Sequence, residues 1–370
     1  MKFPDVDRKR LIRLFTSAYF EARKGKLLTR DENLFEMNWS ANISLLVDEI
    51  LRGEYQPARG IAFIIEKPVV REIFAAAFRD RVVHHFLYNM CASWWDNRLI
   101  YNSSSCRKHK GTLFGIERLE HDIRSVSRNG SRKAYIIKLD IQGYFMSLPR
   151  RELYKIVCWG LKRQFPNGGS DFRLLKYLWK KIIFDDPVRG VRIRPPVRRW
   201  HKLPETKSLF YQPDGKGIVI GNLSSQHLSN AYLDRLDRYV TMELGHKHYG
   251  RYVDDFYMVV TEEEFHQALR DIKKIEDFLR RLGLTLHPKK RYIQSVDKGV
   301  EFLGVMVYPF NRVASRRFKN SLYVALRSYA EGHGSNEMLE SYVGYCSHFR
   351  SKKLLKKAFL QVGWDFELHK

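Results

Sequence analysis

The sequence predicts an α+β fold on three observations. Short runs rich in β-branched and aromatic residues lie at 61–65, 135–141, 252–260 and 299–307. Longer stretches between them repeat apolar residues at helical spacing. Two strand-like runs also carry aspartate, Asp140 in one and Asp254-Asp255 in the other. With 370 residues and 44% apolar content the chain can bury a large core, as one multi-lobed unit or two to three subdomains.

In chain order, helical patterns cover Asp7 to Arg23 and Trp39 to Leu51. A strand over Ile61 to Ile65 follows, then a basic stretch from Arg71 to Arg81 interleaved with Ile73, Phe74 and Phe78. That stretch leads into a helix around His84 to Trp94, where the paired histidines read as ordinary helix residues rather than ligands. Gly111 to Arg124 and Arg151 to Leu161 read as helices on either side of the Asp140 strand. From Pro187 to Pro213 the pattern is irregular, with Arg189, Arg192, Arg194, Arg198, Arg199 and Lys202 around Trp200. This is an insertion or long hairpin, either a solvated basic loop or an RNA or partner contact with Trp200 as a stacking platform. Ser225 to Tyr239 is helical after the turn Gly217 to Asn222, and Glu262 to Leu282 is a long amphipathic helix. Leu284 to Leu286 leads into Pro288-Lys289-Lys290, Gly299 to Val307 reads as a hairpin, and Lys319 to Leu360 is mainly helical and basic.

The acidic residues suggest chemistry. Tyr252-Val253-Asp254-Asp255 puts two carboxylates on a tight turn between strands, a costly arrangement that divalent cations would convert into binding. Tyr135 to Ile141 is a buried strand pattern carrying Asp140, followed by Gln142 to Phe145, whose amides could form an anion-binding concavity. Carboxylates from separate strands are what two-metal phosphoryl transfer requires. Asp185-Asp186 is an internal control, because it also follows an apolar run but Pro187 ends any strand there.

Composition points to a polyanionic partner: 66 Lys and Arg against 41 Asp and Glu leave a net charge of +25. The four cysteines are dispersed and form no Cys-x-x-Cys, which argues against a disulfide framework or zinc knuckle and fits a reducing cytoplasm. The N-terminal residues are charged rather than signal-like, and no apolar run suits a membrane span, so no membrane association is expected.

Six ordered features resemble the successive motifs of reverse transcriptases. They are Arg71 in its basic stretch, Asp140 followed by Phe145, the glycine turn before Ser225-Gln226, Tyr252-Val253-Asp254-Asp255, Pro288-Lys289-Lys290 and Phe302-Leu303-Gly304. The resemblance covers roughly residues 60 to 310 and implies a right-hand polymerase. Residues 1–135 would hold the N-terminal helices and fingers, which continue around 150–215. Residues 136–310 would be a palm with an antiparallel sheet and a basic insertion near 185–216, and 311–370 a short helical thumb. Ile220-Gly221-Asn222-Leu223-Ser224-Ser225-Gln226 looks most like the enzymes of diversity-generating retroelements. Retron enzymes are the runner-up, but their Val-Thr-Gly element near the thumb is absent. The chain also ends too early for a maturase, RNase H or integrase domain to be expected.

That resemblance assigns roles by position. Asp140 and Asp254 would be the main metal ligands and Asp255 an accessory one, holding two Mg²⁺ ions with Mn²⁺ as a substitute. Arg71 and Arg79 would grip the incoming triphosphate, with Ile141, Ile220, Gln226 and Lys289 also around the nucleotide. Phe145 would exclude a 2′-hydroxyl, Lys290 would protonate departing pyrophosphate, and Phe302, Leu303 and Gly304 would hold the primer end. The implied role is to copy a template-repeat RNA from dNTPs into cDNA with frequent errors at adenines, through an RNA/cDNA duplex. The implied partner is a small basic pentameric accessory protein, and the setting a bacterial cytoplasm, with the gene the host's own or a phage's. The alternatives are a retron- or phage-defence-type reverse transcriptase and a related chain that binds RNA without synthesis.

Overall fold

The computed structural model describes residues 2–24, 29–66 and 69–364. The strands among them are β1 (Ile61–Ile65), β2 (Arg71–Ala75), β3 (Ala134–Asp140), β4 (Arg192–Ile193), β5 (Tyr249–Tyr252), β6 (Asp255–Thr261), β7 (Tyr292–Ser295), β8 (Val300–Phe302), β9 (Val305–Tyr308) and β10 (Asn311–Ala314). The chain divides into two compact units. The first holds residues 1–100, 142–235 and 279–285, and the second 101–141, 236–278 and 286–370. No described helix is long and apolar enough to cross a membrane.

In the first unit, helices Arg8–Arg23, Trp39–Arg52 and Phe78–Arg98 pack through their apolar faces. Asp7 starts the first of them, its carboxylate accepting from the amides of Lys9 and Arg10. Leu11, Phe15, Ala18 and Ala22 follow at three- and four-residue spacing and are buried. Phe15 stacks on Phe86 with ring centroids 4.3 Å apart, and Tyr19 on Trp39 at 5.3 Å. Each such buried side chain contributes roughly 1.5–3 kcal/mol. The sheet here has the order β2-β1-β4, with β1 and β2 antiparallel and β4 parallel to β1. The apolar run before Asp185 forms the helix Ser170–Phe184.

The irregular stretch after Pro187 is folded down at Trp200. The Trp200 indole N–H donates to Glu72 Oε1 (2.8 Å), as does the Ser208 hydroxyl (2.8 Å), while the Leu209 amide donates to Glu72 Oε2 (2.7 Å). Trp200 is half-buried and packs with Phe210 against Phe74, Met146 and Leu209, so it is not an open stacking platform. Arg192, Arg194, Arg198 and Arg199 remain exposed.

The second unit is organised by a four-stranded antiparallel sheet of order β5-β6-β3-β7. β3 lies between β6 and β7 and buries residues on both faces, which explains its nearly continuous apolar sequence. Helix Thr112–Val126 covers the sheet, with Ile116, Leu119 and Ile123 in one cluster with Ile136, Tyr257 and Val259. The same cluster takes in Phe302 and Val305 from the β8-β9-β10 sheet, and Leu322 and Phe359 from helices Arg316–Ala330 and Lys352–Leu360.

Candidate active site

The site grows from one hairpin of the second unit. β5 and β6 pair Tyr252 with Asp255, leaving Val253-Asp254 as a two-residue turn. Val253 takes φ +56°, a region that a β-branched residue rarely adopts. β3 runs antiparallel beside β6 and pairs Asp140 with Asp255. Three aspartates thus lie at one end of the sheet. Further along the chain, the His287 amide donates to the Asp140 carbonyl (2.8 Å) and the Lys290 ammonium reaches Asp140 Oδ2 at 2.7 Å.

Crowding sets the electrostatics. The Asp254 carboxyl is pushed up to about 7, first by burial and then by the charges of Asp140 and Asp255. Asp255 is also raised by burial, against the pull of Lys138, whose Nζ lies 3.7 Å from Asp255 Oδ2. Among the described residues, no three His, Cys, Asp or Glu side chains converge as a ligand set, and lysines face Asp140 and Asp255. The donor chemistry still fits a hard divalent cation. All three groups are carboxylates, and Asp254 is buried with the charges of Asp140 and Asp255 nearby, a position that such an ion would stabilise.

Other predicted residues fall as follows. In the second unit Lys289 is exposed, and its amide donates to His287 Nδ1 (3.2 Å). Phe302 is buried against Tyr257 at 5.5 Å, so only the Leu303-Gly304 turn, with φ values of +50° and +81°, lies toward the surface. The expectation for Ile141 needs correction: it is 1% exposed and its N–H donates to the Asp254 carbonyl (3.2 Å), so it fixes the turn rather than meeting a nucleotide.

In the first unit Arg71 is exposed at the start of β2, with no ion pair among the described residues. Arg79 is engaged instead, 2.7 Å from Glu49 Oε2 and over the Tyr55 ring at 5.6 Å, which leaves it a poor grip for triphosphate. Phe145 is half-buried, edge-on to Tyr144 at 5.4 Å. The Gln142 amide donates to the Thr285 carbonyl (2.8 Å), so it does not contribute to an anion-binding concavity. Ile220 packs beside the Phe74 cluster and Gln226 is exposed. His84 is buried and hydrogen-bonded to the Ser224 hydroxyl (2.8 Å), as suits an ordinary helix residue.

Sequence reading missed Lys138, and also the Arg251–Asp237 ion pair, whose side chains are 0% exposed. Lys138 carried a usable signal: two residues before Asp140 on a strand, it shares that residue's face.

The family description "Reverse transcriptase (RNA-dependent DNA polymerase)" matches residues 70–307, well over half of the chain. The chain belongs to the reverse transcriptase family, and its fold is that of a right-hand polymerase. Among solved structures it is similar to a telomerase from Candida Tropicalis in complex with a TWJ fragment of telomeric RNA. That match has a TM-score of 0.49 and 12% identity, over 83% of this chain and 54% of the telomerase chain. This chain therefore spans about half the length of that relative. Among curated proteins, none matches it.

Proposed function

We propose that this chain is an RNA-dependent DNA polymerase of the diversity-generating retroelement type, which copies a template-repeat RNA into cDNA with frequent errors at adenines. The polymerase reading rests on the register of Asp140 with Asp255 across β3 and β6, with Asp254 in the adjoining turn and Lys290 against Asp140. The subtype rests on the sequence Ile220 to Gln226. Fingers, palm and thumb at 1–135, 136–310 and 311–370, a bacterial cytoplasmic setting and a pentameric basic accessory protein belong to the same proposal.

Two Mg²⁺ ions, with Mn²⁺ as a substitute, held by Asp140, Asp254 and Asp255 would supply the positive charge that activates a 3′-hydroxyl and steadies the triphosphate. Lys290 is the proton donor for departing pyrophosphate, its ammonium already at hydrogen-bond distance from Asp140. Exposed Arg71 and Lys289 bind phosphate oxygens, and the Phe145 ring favours deoxyribose by crowding a 2′-hydroxyl. The turn at Leu303-Gly304 holds the primer end. Apolar Ile220 offers no hydrogen bond to sugar or base, so a mispair loses little relative to a correct pair.

Primer extension on one RNA template, followed by sequencing of the cDNA, tests both levels. The purified chain should incorporate dNTPs and misincorporate opposite adenine more than opposite other bases, and Ile220→Asn should lower the adenine errors selectively. Equal error rates at all four template bases would reject the retroelement subtype in favour of a retron- or defence-type enzyme. RNA binding without any extension would reject the polymerase reading.

A further inference from the structure

Ser103, Ser104 and Ser105 are 0%, 2% and 0% exposed, unusual for serines, which are mostly found at the surface. They run alongside β5 and treat the catalytic hairpin as a partner strand. Ser103 forms a parallel bridge with Arg251. The Ser104 amide and hydroxyl both donate to the Arg251 carbonyl, at 2.9 and 3.0 Å. Ser105 Oγ accepts from the Val253 amide at 3.1 Å.

Arg251 closes the arrangement from the other side. Its guanidinium is fully buried, with Nε and Nη2 each 2.7 Å from the Asp237 carboxylate. Nη2 also reaches Ser103 Oγ at 3.2 Å, and Nη1 donates to the Val253 carbonyl at 2.9 Å. Both polar backbone groups of Val253 are therefore held by side chains, and the next carbonyl, that of Asp254, is held by the Ile141 amide at 3.2 Å. An ion pair serving stability alone would need only Asp237, and buried pairs are weak contributors to stability. A β-branched residue at φ +56° persists only where its surroundings over-determine the backbone, and this turn is over-determined on each polar group named.

We propose that Ser105 and Arg251 are positioning residues, which hold the Val253-Asp254 turn in the strained backbone geometry that presents Asp254 and Asp255 to a divalent cation. The proposal rests on the polymerase reading above. Its residues touch neither substrate nor ion, and they act through the backbone of Val253.

The test uses the full chain with Ser105→Ala and Ser105→Thr, and follows Mn²⁺ binding by electron paramagnetic resonance without nucleotide, together with kcat, the KM for dNTP, and Tm. Ser105→Ala should weaken Mn²⁺ binding and lower kcat by about tenfold, as loss of an outer-shell partner does elsewhere, with KM nearly unchanged. Ser105→Thr keeps the hydroxyl and should restore both. Adding Val253→Gly to Ser105→Ala should recover Mn²⁺ affinity, because glycine adopts positive φ without support. Wild-type Mn²⁺ affinity and kcat in Ser105→Ala would overturn the proposal. If Ser105→Ala lowers Tm enough to blur the comparison, the double variant decides: recovered Mn²⁺ binding supports the clamp and its absence overturns it. Asp254→Ala, run in parallel, separates the two levels, because an active Asp254→Ala enzyme would sink the polymerase reading itself.

Discussion

Asp254-Asp255 in the second unit and Asp185-Asp186 in the first have the same two letters and opposite surroundings. The first pair sits in a strained hairpin turn, opposite a third aspartate on the neighbouring strand, and its charges are forced together. The second pair follows the helix Ser170–Phe184 and is drawn into local structure. Arg59 Nη1 lies 3.8 Å from Asp185 Oδ1, the Asp185 carbonyl accepts from Arg150 Nη1 (2.9 Å), and Asp186 Oδ1 accepts from the Val188 amide (3.1 Å). Burial raises the carboxyls of both Asp254 and Asp185; at Asp254 the charges of Asp140 and Asp255 come next and outrank the pull of Lys290, whereas at Asp185 the pull of Arg59 outranks the push of Asp186. A buried carboxyl whose strongest neighbours are carboxylates would gain from a bound cation, whereas one whose strongest neighbour is an arginine already has its counter-charge.

The largest expected contrast is in activity. Asp254→Ala should lower Mg²⁺-dependent dNTP incorporation by ~10³-fold or more, since cation stabilisation of the transition state is worth several kcal/mol. Asp185→Ala should leave the rate near that of the wild type. Steady-state primer extension with both purified variants checks this, and equal losses would erase the distinction.

The partner cations give a second contrast. Lys290→Met should lower kcat by about 10²-fold if its ammonium protonates pyrophosphate. Arg59→Met should affect Tm but not kcat. A pH–rate profile unchanged by Lys290→Met would remove that lysine from proton transfer.

The smallest contrast lies in stability without metal. The folded Asp254 carboxyl titrates at about 7, whereas an unfolded aspartate titrates at about 4. Both states bind the proton below that lower value; above it the unfolded chain releases its proton first, so stability falls as pH rises from about 4 through about 7. Asp254→Asn should abolish this decline and raise Tm at pH 8 by a few degrees. Asp185→Asn should act in the same direction but less, because Arg59 already offsets part of the penalty. Thermal melts across pH in a chelating buffer would show it, and an unchanged slope in Asp254→Asn would assign the decline to other groups.

Much of this was legible in the sequence because it is local. The period-two pattern, the acids beside it and the turn at Val253-Asp254 are properties of neighbouring residues, and they placed β3, β5, β6 and the acidic end of the sheet. What failed to show depends on distant pairing. Arg79 looks like any basic residue until Glu49 is folded against it, and Trp200 looks like a stacking platform until Glu72 takes its N–H. The burial of Ser103 to Ser105 has no local signature, because nothing nearby in sequence reveals that β5 will lie along them. Ile141 is buried with its amide taken by the Asp254 carbonyl, a pairing that its place next to Asp140 in sequence does not reveal.

Glu72 has a consequence for how the arginine-rich segment comes apart. Its carboxylate is 0% exposed and is matched by donors from three residues spread over 200–209. Peeling that segment away would leave a buried anion with no answering donors, at a cost of several kcal/mol. Fraying one residue at a time is thus disfavoured, and the stretch should open all at once or not at all. Although Arg192, Arg194, Arg198 and Arg199 are exposed, a protease that cuts after arginine and needs an extended backbone would find Arg198 and Arg199, next to Trp200, protected until the whole stretch opens.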